Sequence, residues 1–213
     1  MEIFEYIEKM NSRPELFPDM LAYAVEHKVP IMDPDALQVM KHYMHLTGSR
    51  YILEIGTAIG YSAMHMLSVS DDVKVVTIEK NEDSYRTARD FFKNHGVAAR
   101  VESILGDAKE VGTGSLSDTP FDMLFIDASK GNNEYFFETF SPLVKDGGLI
   151  IVDNILLRGL VVEEEIQSRN RRRMKEKVDM FNKRIAASGM LSSFLPVGDG
   201  LLIISKKEEG TNA

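Results

Sequence analysis

The 213-residue chain has no cysteine. Disulfides, thiolate metal sites and cysteine nucleophiles are therefore excluded. Long apolar runs are missing too. No window comes near the ~18 continuous apolar residues of a membrane span, so no membrane partner is expected. The opening stretch, "MEIFEYIEKM", is acidic and has neither the basic region nor the cleavage site of a secretory signal. These absences fit a cytoplasmic protein. Positive charge is in deficit, with 25 Lys and Arg against 33 Asp and Glu and a net charge of −8. That opposes indiscriminate nucleic-acid binding but leaves room for a local basic patch. The chain shows no internal repeat and no low-complexity segment.

What is present begins with helices. "PELFPDMLAYAVEHK" repeats apolar residues near helical spacing, including Leu16, Met20 and Ala24. In "VPIMDPDALQVMKHYMHLTG", Asp33 suits an N-cap, Pro34 the first helical position and Gly48 a stop. From Arg50 the pattern changes. Short apolar runs, "YILEI", "VKVVTI", "RVESIL", "FDMLFI" and "GLIIVD", alternate with helix-length segments such as "EDSYRTARDFFKNHG". That alternation predicts an α/β fold with a mostly parallel sheet covered on both faces. "SSFLPV" and "GLLIIS", joined across "GDG", predict a closing hairpin. The segment from Val161 to Ser188 reads as one helix with Met174, Val178, Phe181 and Ile185 inward. The tail "KKEEGTNA" is expected to fray. Residues 1–213 are thus read as one domain, a helical cap over 1–48 and a Rossmann-like core over 50–207.

In an open parallel sheet, ligands bind beyond the carboxyl ends of the strands. The first strand ends in "LEIGTAIGYSA", which carries Glu54, Gly56 and Gly60. The glycines would let backbone approach a ligand. The second ends in "TIEKN", with Glu79 nineteen residues after Gly60, the distance at which an acid binds a ribose diol. The third ends in "LGDA", which brings Asp107 to the same crevice. A nicotinamide fingerprint needs G-x-G-x-x-G, which "GTAIG" does not supply, so no pyrophosphate cradle is expected. A cationic ligand with ribose and adenine but no phosphates meets these conditions, and S-adenosylmethionine is such a ligand. Taken singly, each residue also suits a tight turn or a helix cap.

The fourth and fifth strands carry the chemistry. "FIDASK" delivers Asp127 and Lys130, and "IIVDN" delivers Asp153 and Asn154. Two carboxylates and an amide oxygen are the hard donors that magnesium prefers. A lysine beside a cation has its charged form disfavoured and can serve as a general base. Methyl transfer from the sulfonium to a deprotonated hydroxyl follows from that set. A pure cofactor-binding module would need no such base. His27, His42, His45, His65 and His95 form no ligand-like cluster and are read as structural.

At "EIGTAIGYSA", "TIEK", "GDA", "FIDASK" and "DNILLRG" the chain resembles the cation-dependent O-methyltransferases related to catechol and caffeoyl-CoA methyltransferases. The resemblance covers nearly the whole chain. It implies a seven-stranded Rossmann-like sheet with an antiparallel last strand. Asp127, Asp153 and Asn154 would be the metal ligands and Lys130 the base. Glu79 would bind the ribose. Gly56, Ser62, Asp107 and Ala108 would line the cofactor site, with Glu54, Gly60 and Tyr61 of the first motif and with Asp127. Met32 would close over the methionine end. A homodimer is the family's usual state.

Two acceptors compete, a small catechol-like molecule and a hydroxyl on a modified RNA base. Between Arg169 and Arg184 there are eight basic residues against two acids, a net of six positive charges. Arg169, Arg172, Arg173 and Lys177 fall near one face, and Arg158 follows the metal ligands. A local patch of this kind suits phosphate, although a solvated basic face has the same composition. "VPIMDP", "DNILLRG" and "LPVGDGLLIISKK" look most like the bacterial subgroup that methylates hydroxyuridine at the tRNA wobble position. An anticodon loop is single-stranded and can present such a base. The expected partner is therefore tRNA, with a small phenol as the alternative.

Overall fold

The computed structural model describes residues 3–116 and 118–206. Three helices come first: α1 (Ile3–Asn11), α2 (Pro18–His27) and α3 (Pro34–Thr47). The alternating core follows as β1 (Tyr51–Ile55), α4 (Tyr61–Leu67), β2 (Lys74–Glu79), α5 (Glu82–Asn94), β3 (Val101–Leu105) and α6 (Ala108–Val111). It continues with β4 (Phe121–Ile126), α7 (Asn133–Phe140), β5 (Val144–Asp153) and α8 (Arg169–Ala187). The hairpin β6 (Ser192–Leu195) and β7 (Leu201–Ser205) closes it. The seven strands lie in the order β3-β2-β1-β4-β5-β7-β6. All pairs from β3 to β5 are parallel, and β7 runs antiparallel to both neighbours. This is the expected Rossmann-like sheet.

Period-two patterning splits the core into two layers. Ile52, Phe125, Ile151 and Ile203 face one side, where Met20, Leu37, Met40, Met44 and Phe92 cover them. Leu53, Leu124, Ile150 and Ile204 face the other, under Phe136, Phe140, Phe181 and Ile185. Adjacent residues on one strand thus serve opposite layers. The strands read as continuous apolar runs because both faces are buried.

The caps follow the sequence in part. Asp33 accepts from the Asp35 amide at 2.9 Å, Pro34 opens α3 and left-handed Gly48 ends it. α2 begins at Pro18, later than the periodicity predicts, because Glu15 turns back to accept from the Phe17 amide at 2.8 Å. The long helix expected from Val161 begins only at Arg169, with Ser168 as its N-cap. Upstream, Leu157 and Arg158 have φ of 51° and 53°, and Gly159 has 83°. Past Val161 the chain turns extended at Glu163, with ψ of 128°, and again at Ser168, with ψ of 121°, and extended residues cannot continue a helix. Val178, Phe181 and Ile185 are buried as expected, but Met174 is exposed. The tail from residue 207, expected to fray, lies outside the described residues. Among those described, no helix is long and apolar enough to cross a membrane.

Candidate active site

Strand register assembles the site. Ile78, Ile55, Ile126 and Val152 form one row across β2, β1, β4 and β5. One residue further on stand Glu79, Gly56, Asp127 and Asp153. Backbone bonds extend the ladder past the row, with the Gly56 amide on Ile78 O and the Asp127 amide on Ile55 O, both at 3.0 Å. The Gly106 amide reaches Glu79 O at 2.8 Å and so brings Asp107 alongside. Four strands therefore deliver their polar ends to one edge, as the carboxyl-end rule requires.

A cavity of about 310 Å³ lies at this edge. Gly56, Glu79, Asp107, Ala108 and Asp127 line it, together with Ile78 and Phe136. Glu79 is oriented by two amides, Ala58 N on Oε2 at 2.9 Å and Asn81 N on Oε1 at 2.7 Å. Ala58 takes a left-handed φ of 46° to make its bond. Asp107 caps α6 through the Lys109 amide at 2.9 Å while also lining the cavity. The cap and the site are thus the same residue.

Five expected cofactor residues do not line this cavity. Gly60 faces α5, where an added Cβ would sit 2.6 Å from Phe92 Cζ. Glu54 is fully buried, and it accepts from Ser62 Oγ and from Thr77 Oγ1. Burial pushes its carboxyl up to about 8 against those two donors, and the like charges of Asp127 and Glu79 push it further. Ser62 is buried and spent on this bond. Met32 is buried among the apolar residues that α2 and α3 contribute to the core. Tyr61 points to a second cavity of about 660 Å³ beside the 11–16 segment, where its hydroxyl donates to Glu15 Oε2 at 2.7 Å. His65 lines the same cavity, and burial pushes its imidazole down to about 4.

Lys130 Nζ donates to Asp127 Oδ1. Burial raises the Asp127 carboxyl, while the Lys130 ammonium pulls it down. Asp153 is pushed up to about 7, first by burial, then by the Asp127 charge, with Lys130 opposing. Asn154 follows with a left-handed φ of 59°, and its amide donates to Asp153 Oδ1 at 2.7 Å. Two carboxyls at neighbouring strand ends, each raised by burial, carry a charge cost that a bound divalent cation would relieve. Asn154, next along the strand end, would add a carboxamide oxygen to them, so by donor chemistry these residues fit a magnesium-like ion.

The basic residues expected to touch RNA are exposed on α8 and its approach. Arg172 donates to Ile166 O at 2.8 Å, and the Arg158 amide donates to Asp199 Oδ1. Lys177 lies beside the Lys130 turn, 3.5 Å from where a Gly131 Cβ would stand. The sequence reading missed Asp199, seen only as part of a turn in "GDG", and Asn182, hidden in the polar face of a helix.

A seven-stranded sheet in this order, with its polar strand ends gathered at one edge, defines a Rossmann-like methyltransferase fold. The O-methyltransferase family model matches residues 8–207. The chain belongs to this family and is an S-adenosylmethionine-dependent O-methyltransferase. It is 28% identical over 214 residues to caffeoyl-CoA O-methyltransferase 5 of Nicotiana tabacum, covering 94% of this chain and 89% of that protein. A Staphylococcus aureus structure assigned as a caffeoyl-CoA O-methyltransferase superposes with a TM-score of 0.86 at 36% identity, covering 95% of this chain and 97% of that one. A Bacillus cereus O-methyltransferase solved in complex with SAH gives 0.80 at 26%, covering 95% and 96%.

Proposed function

We propose that the chain methylates a hydroxyl of a small catechol-like or caffeoyl-CoA-like molecule, with a magnesium-like cation held by Asp127, Asp153 and Asn154. One observation carries this reading: the single register row that ends in Glu79, Gly56, Asp127 and Asp153. It supports the reading by putting Glu79 on the same edge as Asp127 and Asp153, and Lys130 bonds Asp127 there. S-adenosylmethionine, when bound, supplies an electrophilic methyl. A divalent cation, when bound, supplies charge that lowers the pKa of a nearby hydroxyl. Glu79 accepts from the ribose hydroxyls, and Ile78 and Phe136 offer apolar walls to adenine. Asp107 and Ala108 bound the same cavity. In its neutral amine form, Lys130 Nζ, held at Asp127, takes the proton from the acceptor hydroxyl and becomes the ammonium. Asp127, Asp153 and Asn154 orient the acceptor, and alignment of the two reactants supplies most of the rate.

The tRNA reading is the weaker one. The similar proteins named above are caffeoyl-CoA and unspecified O-methyltransferases, and much of the α8 charge is engaged locally. A homodimer belongs to the proposal because α1 leaves Ile3, Ile7 and Met10 exposed. The test is a methyl-transfer assay with Mg²⁺, comparing caffeoyl-CoA and a free catechol with tRNA carrying hydroxyuridine. Turnover of the small molecules, abolished by EDTA without loss of SAH binding, is expected. Turnover of tRNA alone would reverse the choice of acceptor. Full activity with metal shown to be absent would remove the cation-binding set.

A further inference from the structure

The segment that carries Asn154 has an unusual backbone. Asn154, Leu157 and Arg158 all have positive φ although each carries a Cβ. Such a conformation persists only when its surroundings impose it. Two distant elements do so. From α8, Asn182 Nδ2 donates to Ile155 O at 3.0 Å. Its Oδ1 is buried without a hydrogen-bond partner, so the side chain is held through Nδ2 alone. From the β6–β7 turn, Asp199 O accepts from the Leu156 amide at 3.0 Å, and Gly200 O accepts from the Ile155 amide at 3.2 Å. Asp199 Oδ1 also accepts from the Arg158 amide. Gly200 is required there, since a Cβ would stand 2.4 Å from Leu156 Cγ. Every one of these bonds falls within four residues of Asn154.

We propose that Asn182 and Asp199 are positioning residues that set the affinity for a divalent cation by holding the Asn154–Arg158 loop in its left-handed form. The proposal rests on the cation-binding reading of Asp127, Asp153 and Asn154. Neither residue lines the cofactor cavity. They act through the backbone on either side of a ligand, as partners that orient metal ligands do. Without them the loop relaxes toward ordinary φ, and the Asn154 carboxamide no longer stands in a fixed relation to Asp153.

The test is Mn²⁺ binding to the full chain by calorimetry, with SAH affinity and thermal unfolding measured on the same samples. Asn182→Asp keeps the side-chain shape but removes the donor, and Asp199→Ala removes the acceptor. Each is expected to weaken Mn²⁺ by about ten- to a hundredfold, the range for residues that orient metal ligands. SAH affinity and the unfolding midpoint should stay close to wild type, and hydrogen exchange over 154–159 should speed up. Asp199→Asn keeps Oδ1 as an acceptor and is expected to restore Mn²⁺ binding. Wild-type protein that binds Mn²⁺ with variants of unchanged Kd overturns the clamp and leaves the metal site standing. An Asp199→Asn variant as weak as Asp199→Ala overturns it as well, because charge and not the accepted bond would then matter. If Asp199→Ala does not fold, Asn182→Asp decides. Wild-type protein that binds no Mn²⁺ removes the metal site, and the clamp with it.

Discussion

Gly60→Ala is the sharpest perturbation of the first motif. The residue has φ of +84°, and an added Cβ would stand 2.6 Å from Phe92 Cζ and 2.7 Å from Cε1. Ala88 Cβ would be 3.3 Å away. Phe92 is 2% exposed and cannot swing aside. Left-handed backbone costs an alanine roughly 1–2 kcal/mol. Overpacking a closed core costs about 1–3 kcal/mol more. Gly60→Ala should therefore destabilise by about 2–5 kcal/mol, read as a shift of the urea midpoint at constant m. Phe92→Leu removes the two clashing ring atoms. In the double mutant the steric part should be relieved, leaving a coupling of about 1–3 kcal/mol in a mutant cycle, while the backbone part persists. SAH affinity in the folded double mutant should match that of Phe92→Leu. Additive destabilisation would refute the packing argument. Lost SAH affinity at normal stability would return Gly60 to the cofactor site.

Glu79→Ala should weaken S-adenosylmethionine by ~1.5–3 kcal/mol, the worth of hydrogen bonds to a charged group, and calorimetry showing unchanged affinity in a folded variant would take Glu79 out of the site. Asp153 sits at about 7 in the folded protein, above the ordinary carboxyl value, so below pH 7 it holds a proton that a cation must displace. Divalent-ion affinity should therefore rise by up to about tenfold per pH unit toward 7 and level off above it; titrations with a flat profile would contradict this. By the same sign, metal-free protein should lose stability as pH climbs from about 4 to 7. His65 runs the other way. Its folded value of about 4 lies below the ordinary imidazole value. The His65 contribution should therefore fall by roughly 3 kcal/mol as pH drops from 6.5 to 4, against the gain from Asp153, and it should be read as the pH-dependent difference between wild type and His65→Leu in acid-denaturation curves.

The site's carboxylates were legible because they obey rules that act within one strand. A buried strand needs continuous apolar residues, and the first acid after such a run marks the strand's carboxyl end. Glu79, Asp127 and Asp153 are those residues, and parallel pairing puts them side by side. The terminal hairpin was legible from "GDG" for a similar reason. What a glycine lacks a side chain for is decided elsewhere in the fold. Gly56 and Gly60 look alike in "GTAIG". A Cβ on Gly56 would meet Asp127 O at 2.4 Å, whereas one on Gly60 would meet a phenyl ring from α5. The start of α8 was illegible on the same grounds. Its periodicity runs on upstream, but Glu163 and Ser168 are extended, and the Ser168 side chain accepts from the Arg171 amide as the N-cap.

Charge on α8 shows why counting along one element misleads. Six net positive charges between Arg169 and Arg184 suggested a grip on phosphate. The structure packs acids from other segments against that helix. Arg184 bonds Glu134 and Glu138 of α7, both at 2.7 Å, and Arg171 pairs with Glu163 at 3.6 Å. Lys183 pairs with Asp179 along the helix itself at 2.7 Å. Arg172 and Lys175 donate to backbone carbonyls of the approach segment. These are exposed pairs, each worth little in stability. Their consequence is for recognition, since a cation with an acid 3 Å away presents a weaker field to a distant phosphate than its formal charge implies. Arg169, Arg173 and Lys177 keep exposed positions on the helix, and Lys177 lies beside the Lys130 turn. Three cations make a smaller counterion-release slope than eight. The helix is better described by what it braces, Asn182 on the Asn154 loop and Phe181 against Phe137, than by its charge.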